Sequence, residues 1–348
     1  MSRIITDCSL KLQSTRQLEE YITQLAISDS GLMAAASAGG EVLLWSSDND
    51  SQLLLKENGQ SIDVLQFSAG GNLLAAGGQS GIIYIWQIKS TKGELITTIE
   101  CHNNWIEHLQ WNGNLLAFSS KGYIQLREFP SNEIVATVEH RDSNILGIAW
   151  RPPLSKELSL LGDKIVKIYD SADWDDDPIN LEIEAVPVGS AWSSDGKYLA
   201  VNCLDKSVSL FEWGNPDPWL LHGFLGKIRQ MDWSAHLEPI LAMATIDQIV
   251  IWKRSKKAGE GWLPSMLQAQ EQDNIEAIAF APNGELLGSV SQNGTISIWY
   301  KNRLLGQTHV DQGLSCLAWF ADSKVMLTGG QDGSLNIWKV IQSGKGFA

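Results

Sequence analysis

Eight times along this chain an aliphatic residue, any residue and a second aliphatic run into one fixed position. That position is Trp45, Trp86, Arg127, Tyr169, Phe211, Trp252, Trp299 and Trp338. The segments read VLLW, IYIW, IQLR, VKIY, VSLF, IVIW, ISIW and LNIW, at intervals of 41, 41, 42, 42, 41, 47 and 39 residues. A repeat this regular fills the chain and therefore dictates its architecture. A second series runs in phase with it. Shortly before most fixed positions stands an aliphatic-x-x-aliphatic-x-aromatic segment, such as IDVLQF ending at Phe67, IEHLQW at Trp111, ILGIAW at Trp150, IRQMDW at Trp233, IEAIAF at Phe280 and LSCLAW at Trp319. The first repeat ends in Ile27 instead, and the fifth carries Pro187 and Ser190 where aliphatics are expected before Trp192.

Each unit divides into short apolar runs bounded by turn residues. The seventh reads NIEAIAF, turn APNG, ELLGSVS, turn QNG, TISIWYKN and then RLLGQTH. Runs of four to eight residues rich in Ile, Val, Leu, Ser and Thr predict four antiparallel strands. Asp195-Gly196, Asn283-Gly284, Asn293-Gly294 and Asp332-Gly333 supply the positive φ angles that tight hairpins need. No long segment has helical periodicity. A four-stranded unit cannot bury both faces alone, so neighbouring units are expected to stack around an axis. The expectation is an all-β chain with one domain over residues 1–348.

These residues resemble the tryptophan–aspartate (WD) repeat β-propellers, over essentially residues 9 to 340. The pattern is degenerate: of the eight fixed positions, only Tyr169-Asp170 keeps the name-giving Asp. The resemblance implies a hydrogen-bond set in the last repeat, with His309 bonding Asp332 and with Thr328 and Trp338 completing the relay. His140, Ser159, Asp163 and Tyr169 form a weaker version in the fourth repeat. Their types suggest a catalytic triad, but the resemblance makes them structural. It also implies that the rim of loops preceding the first strands binds protein partners, here through Tyr21, Trp105, Asn144, Lys227 and Asn274.

Eight first-to-third-strand units are present, but only seven fourth strands lie between them. SLKLQS near the N-terminus alternates apolar and polar residues. Residues 9–14 are therefore expected to form the outer strand of the last of eight blades. The alternative is seven blades, with the degenerate fifth unit used elsewhere.

Net charge is −14, from 26 basic and 40 acidic residues. That argues against sequence-independent nucleic-acid binding, which needs a positive field over the phosphates. Four scattered cysteines without a CxxC pair suggest neither zinc nor redox chemistry and fit a reducing cytosol. No apolar run indicates a signal peptide or a membrane span. Phosphate-loop, nucleophile-elbow and HExxH motifs are absent from the sequence, so neither metal nor cofactor is expected. The acidic run Asp173, Asp175, Asp176 and Asp177 lacks the spacing of a calcium loop. The basic run Lys253, Arg254, Lys256 and Lys257 reads as a solvated loop. Trp174, Trp213, Trp219 and Trp262, outside the repeat positions, mark the opposite face as the competing binding surface. The sequence thus points to a monomeric, cytoplasmic, non-enzymatic protein-interaction scaffold. The runner-up is a propeller enzyme or small-ligand binder using a central channel, for which Glu107, His108, Arg229 and Asp232 are the polar candidates.

Overall fold

A computed structural model describes residues 4–48, 50–102, 104–140, 144–257, 259–267 and 274–345. Among them all regular structure is β-strand, arranged as eight antiparallel sheets of four strands. In sheets 1 to 7 the strands pair in chain order. Sheet 7, for example, runs Ile275–Phe280, Leu286–Ser291, Thr295–Tyr300, Arg303–His309. All eight fixed positions lie in third strands.

The sequence spacing of the first strands has a physical cause. Ile62 and Leu65 are three residues apart, which an ideal strand would place on opposite faces, yet both are buried, together with Phe67. A bulge between Ile62 and Val64 shifts the register and restores the parity. The same shift recurs at Ile275/Ala277 and Leu314/Cys316. Second strands such as Leu73–Gly78 are buried throughout and accordingly read as continuous runs of apolar and small residues. Their small residues admit the next sheet: a Cβ on Gly77 would meet Ile106 Cγ2 at 2.9 Å.

The fifth unit forms a full sheet of Pro187–Trp192, Tyr198–Cys203, Val208–Glu212 and Trp219–Leu221. Pro187 is tolerated because it is the first residue of its strand and abuts a register shift before Gly189. Eight sheets, not seven, are present.

The contacts divide the chain into two compact units. Residues 26–224 contain sheets 2 to 5 and most of sheet 1. Residues 1–25 and 225–348 contain sheets 6, 7 and 8. Sheet 8 draws on both ends of the chain. The strand Ile4–Gln17 pairs antiparallel with Ser334–Lys345, followed by Val325–Gly330 and Leu314–Trp319. The expected outer strand at 9–14 is thus present, and longer than expected.

Removing residues 1–17 leaves the edge of Ser334–Lys345 without its partner. The truncated protein is expected to lose soluble yield and melt well below the full chain; equal melting temperatures would exclude the clasp as a stabilising element.

Candidate functional site

Antiparallel pairing places the loop before each first strand at the same end of a sheet as the turn before its third strand. We call this the entrance end. In the unit of residues 26–224, Trp105 sits there before the first strand of sheet 3 (Leu109–Asn112). Its indole is half exposed, at 50%, and its Nε1 donates to Asp63 of sheet 2, which also accepts from Ser61 Oγ. The next residue, Ile106, is fully buried and pins the loop. Asn144 is exposed before sheet 4, again followed by a buried isoleucine, Ile145. A cavity of about 840 Å³ opens between Asn144, Tyr123, His140, Asp163 and Val186.

The remaining expected rim residues belong to the other unit. Tyr21 is partly buried beside Ser315; burial raises its phenol above the ordinary range, aided by the charge of Glu276. Lys227 is exposed. Asn274 Nδ2 donates to Gln292 Oε1 at 2.6 Å. All five lie in the chain before first strands, Tyr21 and Asn274 immediately before theirs, with Trp105 and Asn144 in one unit and Tyr21, Lys227 and Asn274 in the other.

Half of the implied polar relay is assembled. Trp338 Nε1 donates to Thr328 Oγ1 at 3.0 Å, deep in sheet 8. Sheet 7 repeats the bond between Trp299 Nε1 and Ser289 Oγ at 2.9 Å. No His309–Asp332 bond is seen among the described residues. The alternation along Arg303–His309 leaves His309 exposed opposite Thr295, and Asp332 Oδ1 instead accepts the Ser334 backbone N–H. The triad-like set in the fourth repeat also has structural duties. Ser159 Oγ donates to the Ala149 carbonyl and accepts from Trp192 Nε1 of the next sheet.

The tryptophans at the opposite ends pack against framework aromatics. Trp174 lies 6.1 Å from Tyr169 between ring centroids, Trp213 5.8 Å from Trp192 and Trp262 5.7 Å from Trp233. Arg151 stacks over Trp213 at 4.1 Å. Among the described residues no group of three or more His, Cys, Asp or Glu is placed to hold a metal ion.

Two of the polar candidates for a channel site, Arg229 and Asp232, link sheets 6 and 7. Arg229 pairs with Glu276 of sheet 7 at 3.3 Å. Asp232 Oδ2 accepts the Phe280 N–H, and burial raises its carboxyl to about 6 against the opposing pull of the Phe280 and Trp233 amides. Burial lowers the His108 imidazole, opposed by Glu107. Asp232 belongs to a series that the sequence reading missed. Gln66 Oε1 accepts the Trp111 N–H at 2.8 Å, and Gln110 Oε1 accepts the Trp150 N–H at 3.3 Å. The signal was the polar residue just before the aromatic in IDVLQF, IEHLQW and IRQMDW.

Comparison with known proteins adds the family context. The model for the anaphase-promoting complex subunit 4 WD40 domain matches residues 28–114, and that for the WD domain, G-beta repeat, matches 263–300 and 303–339. The chain is 21% identical to WD repeat-containing protein slp1 of Schizosaccharomyces pombe, over 81% of this chain and 59% of that protein. It is 23% identical to Meiotic fizzy-related protein 1 of the same organism, covering 92% and 67%. It is 26% identical to anaphase-promoting complex subunit cdh1 of Dictyostelium discoideum, covering 44% and 21%. The chain thus spans about three fifths of slp1 and about a fifth of that cdh1 protein. Its fold is similar to the crystal structure of the C-terminal WD40 domain of Sif2, with a TM-score of 0.75 at 12% identity over 95% of this chain and 98% of that one.

Two stability experiments follow from these bonds. Thr328→Val strands the buried Trp338 Nε1 and is expected to cost about 1–3 kcal/mol in denaturant unfolding. Asp332→Ala, at an exposed turn, is expected to cost less; the reverse order would restore the His309 relay. For Asp232 the folded pKa lies above the ordinary value, so the native state binds the extra proton. Its contribution is present below about pH 4 and is lost as pH rises through about 6. The wild-type melting temperature, measured relative to Asp232→Asn, should therefore fall between pH 4 and pH 7. A constant difference would contradict the assignment.

Proposed function

We propose that this chain, which belongs to the WD-repeat β-propeller family, is a non-enzymatic scaffold that engages a protein partner through entrance-end loops, with Trp105 as an anchor. The observation that carries this reading is the exposure of Trp105. Of the fifteen tryptophans it alone is exposed; the others are buried or partly buried. Its bond to Asp63 and the wedge of Ile106 hold the indole in place before a partner arrives, so little ordering cost remains on binding. Large rigid aromatics of this kind dominate interface energies.

The partner surface that fits offers an apolar recess for the indole and cationic groups toward Asp63 and the exposed Glu107, in keeping with the net charge of −14. Relatives whose names place them in a multi-subunit complex support a protein partner. The engagement of Ser159 and Asp232 in sheet-to-sheet bonds favours a scaffold over an enzyme. Four free cysteines support a reducing compartment, the cytosol.

Affinity capture with wild type and Trp105→Ala, read by quantitative mass spectrometry, tests the proposal. Proteins retained by the wild type should lose about 2 kcal/mol or more of binding in the variant, roughly thirtyfold. Trp174→Ala should lower stability through its lost packing on Tyr169 and leave binding intact. Retention unaffected by Trp105→Ala but lost with Trp174→Ala would move the site to the opposite end.

A further inference from the structure

The opposite end of sheets 6 and 7, wholly within the unit that contains residues 225–348, encloses a cavity of about 390 Å³. Its floor is apolar: Ile240, Phe280 and Tyr300 keep part of their surface over the buried Leu287 and Trp299. Its rim is basic. Lys253 comes from the third strand of sheet 6 (Ile249–Arg254), and Lys301 follows the third strand of sheet 7. At the same rim Leu237 is almost wholly exposed, at 97%, between the lining residues His236 and Glu238.

The charges at this cavity are unequally satisfied. Lys256 is paired with Glu238 at 3.2 Å, and Lys257, in the same loop, with Glu260 at 3.3 Å. Arg254 is engaged within the protein. Lys253 and Lys301 form no ion pair among the described residues, although Glu285 lines the same cavity. The Lys301 ammonium stands 5.0 Å from the Tyr300 ring centre. Burial, and then the charge of Lys301, hold the Lys253 ammonium below its usual range. Two like charges that face one space, one of them partly desolvated, are stabilised by an anion placed between them.

We infer that this cleft between sheets 6 and 7 is a second binding site, which takes an acidic peptide segment carrying a bulky apolar side chain: its carboxylates meet Lys253 and Lys301, and its side chain covers Ile240, Phe280 and Tyr300. A small inorganic anion would leave the apolar floor and Leu237 uncovered. A polynucleotide would bring many phosphates against a strongly acidic molecule for the sake of two cations. The volume lies in the range of a pocket for one large side chain with its flanking groups. The site is separate from the entrance end of these sheets, because Lys253 lies near the end of its third strand and Lys301 just after its own, at the opposite end of each sheet.

The test is a selection of phage-displayed random heptapeptides on the full chain, followed by fluorescence anisotropy with the recovered peptides. Recovered sequences should be enriched in Asp and Glu beside Leu, Phe or Trp. They should bind Trp105→Ala as tightly as wild type and lose about tenfold or more in affinity for Lys253→Glu/Lys301→Glu. Binding should weaken with added salt. Should the double glutamate variant fail to fold, Lys253→Gln/Lys301→Gln replaces it, with a smaller loss in the same direction. A selection without acidic enrichment, or peptides that bind the lysine variants as wild type, would overturn the inference. So would loss of binding in Trp105→Ala, which would assign the peptides to the entrance end. Displacement by inorganic phosphate alone would reduce the site to a general anion site.

Discussion

The rest of the structure depends on the bond handed from one sheet to the next along the first strands. Trp111 Nε1 reaches the Gln66 carbonyl at 3.2 Å, Trp150 Nε1 the Gln110 carbonyl at 3.4 Å, and Trp319 Nε1 the Ala279 carbonyl at 3.0 Å. A four-stranded sheet of short strands has two apolar faces and too little of its own to cover them. The tryptophan that ends the first strand of sheets 3, 4 and 8 addresses both needs: its ring fills the space between sheets, and its polar edge finds a partner on the neighbour. Gln66, Gln110 and Asp232 add a second bond at the same junction, to a backbone N–H that no strand partner reaches.

That demand accounts for many of the side chains that resemble chemistry. Ser159 presents the hydroxyl of a nucleophile, but that hydroxyl donates to the Ala149 carbonyl and accepts from Trp192 Nε1. Asp232 has the raised carboxyl of a general acid, a perturbation caused by burial between sheets. Perturbed titration marks functional sites only when the group faces a space that a substrate can enter. In sheets 7 and 8 the fixed tryptophan bonds a hydroxyl ten residues earlier, at Ser289 and Thr328. In sheet 1 the corresponding residue is Ala35, and Trp45 lacks that partner. The repeats thus share a packing scheme more strictly than a polar one, which is why the missing name-giving aspartates leave the fold intact.

The sheet ends are released from these constraints, and there the chain varies. Trp105 is held rigid by Asp63 while half its surface remains in solvent. Lys253 and Lys301 face an apolar cleft, with no ion pair to either among the described residues. One site offers an aromatic with carboxylates beside it, the other a pair of cations over aromatics. Ligands suited to these two surfaces would differ in both charge and shape and so would not compete.

Strand positions, the number of sheets and the completion of sheet 8 by the N-terminus were legible in the sequence, because each rests on local periodicity and on a count of strands. The rim positions were legible as loop positions for the same reason. The fate of the polar side chains was not. Whether His309 meets Asp332, or Ser159 meets Trp192, depends on how strands in different repeats face one another, and the alternation along Arg303–His309 turned His309 outward. The extra tryptophans Trp174, Trp213 and Trp262 read as surface candidates until packing placed them on Tyr169, Trp192 and Trp233. The basic run read as a solvated loop because Lys301, 48 residues after Lys253, has no sequence relation to it. Only the packing of sheet 7 on sheet 6 brought the two charges to one cavity. A sequence records which residues recur, and recurrence determined the scaffold; which side chains meet across sheets about forty residues apart is a matter of distance in space, and that only the tertiary structure decided.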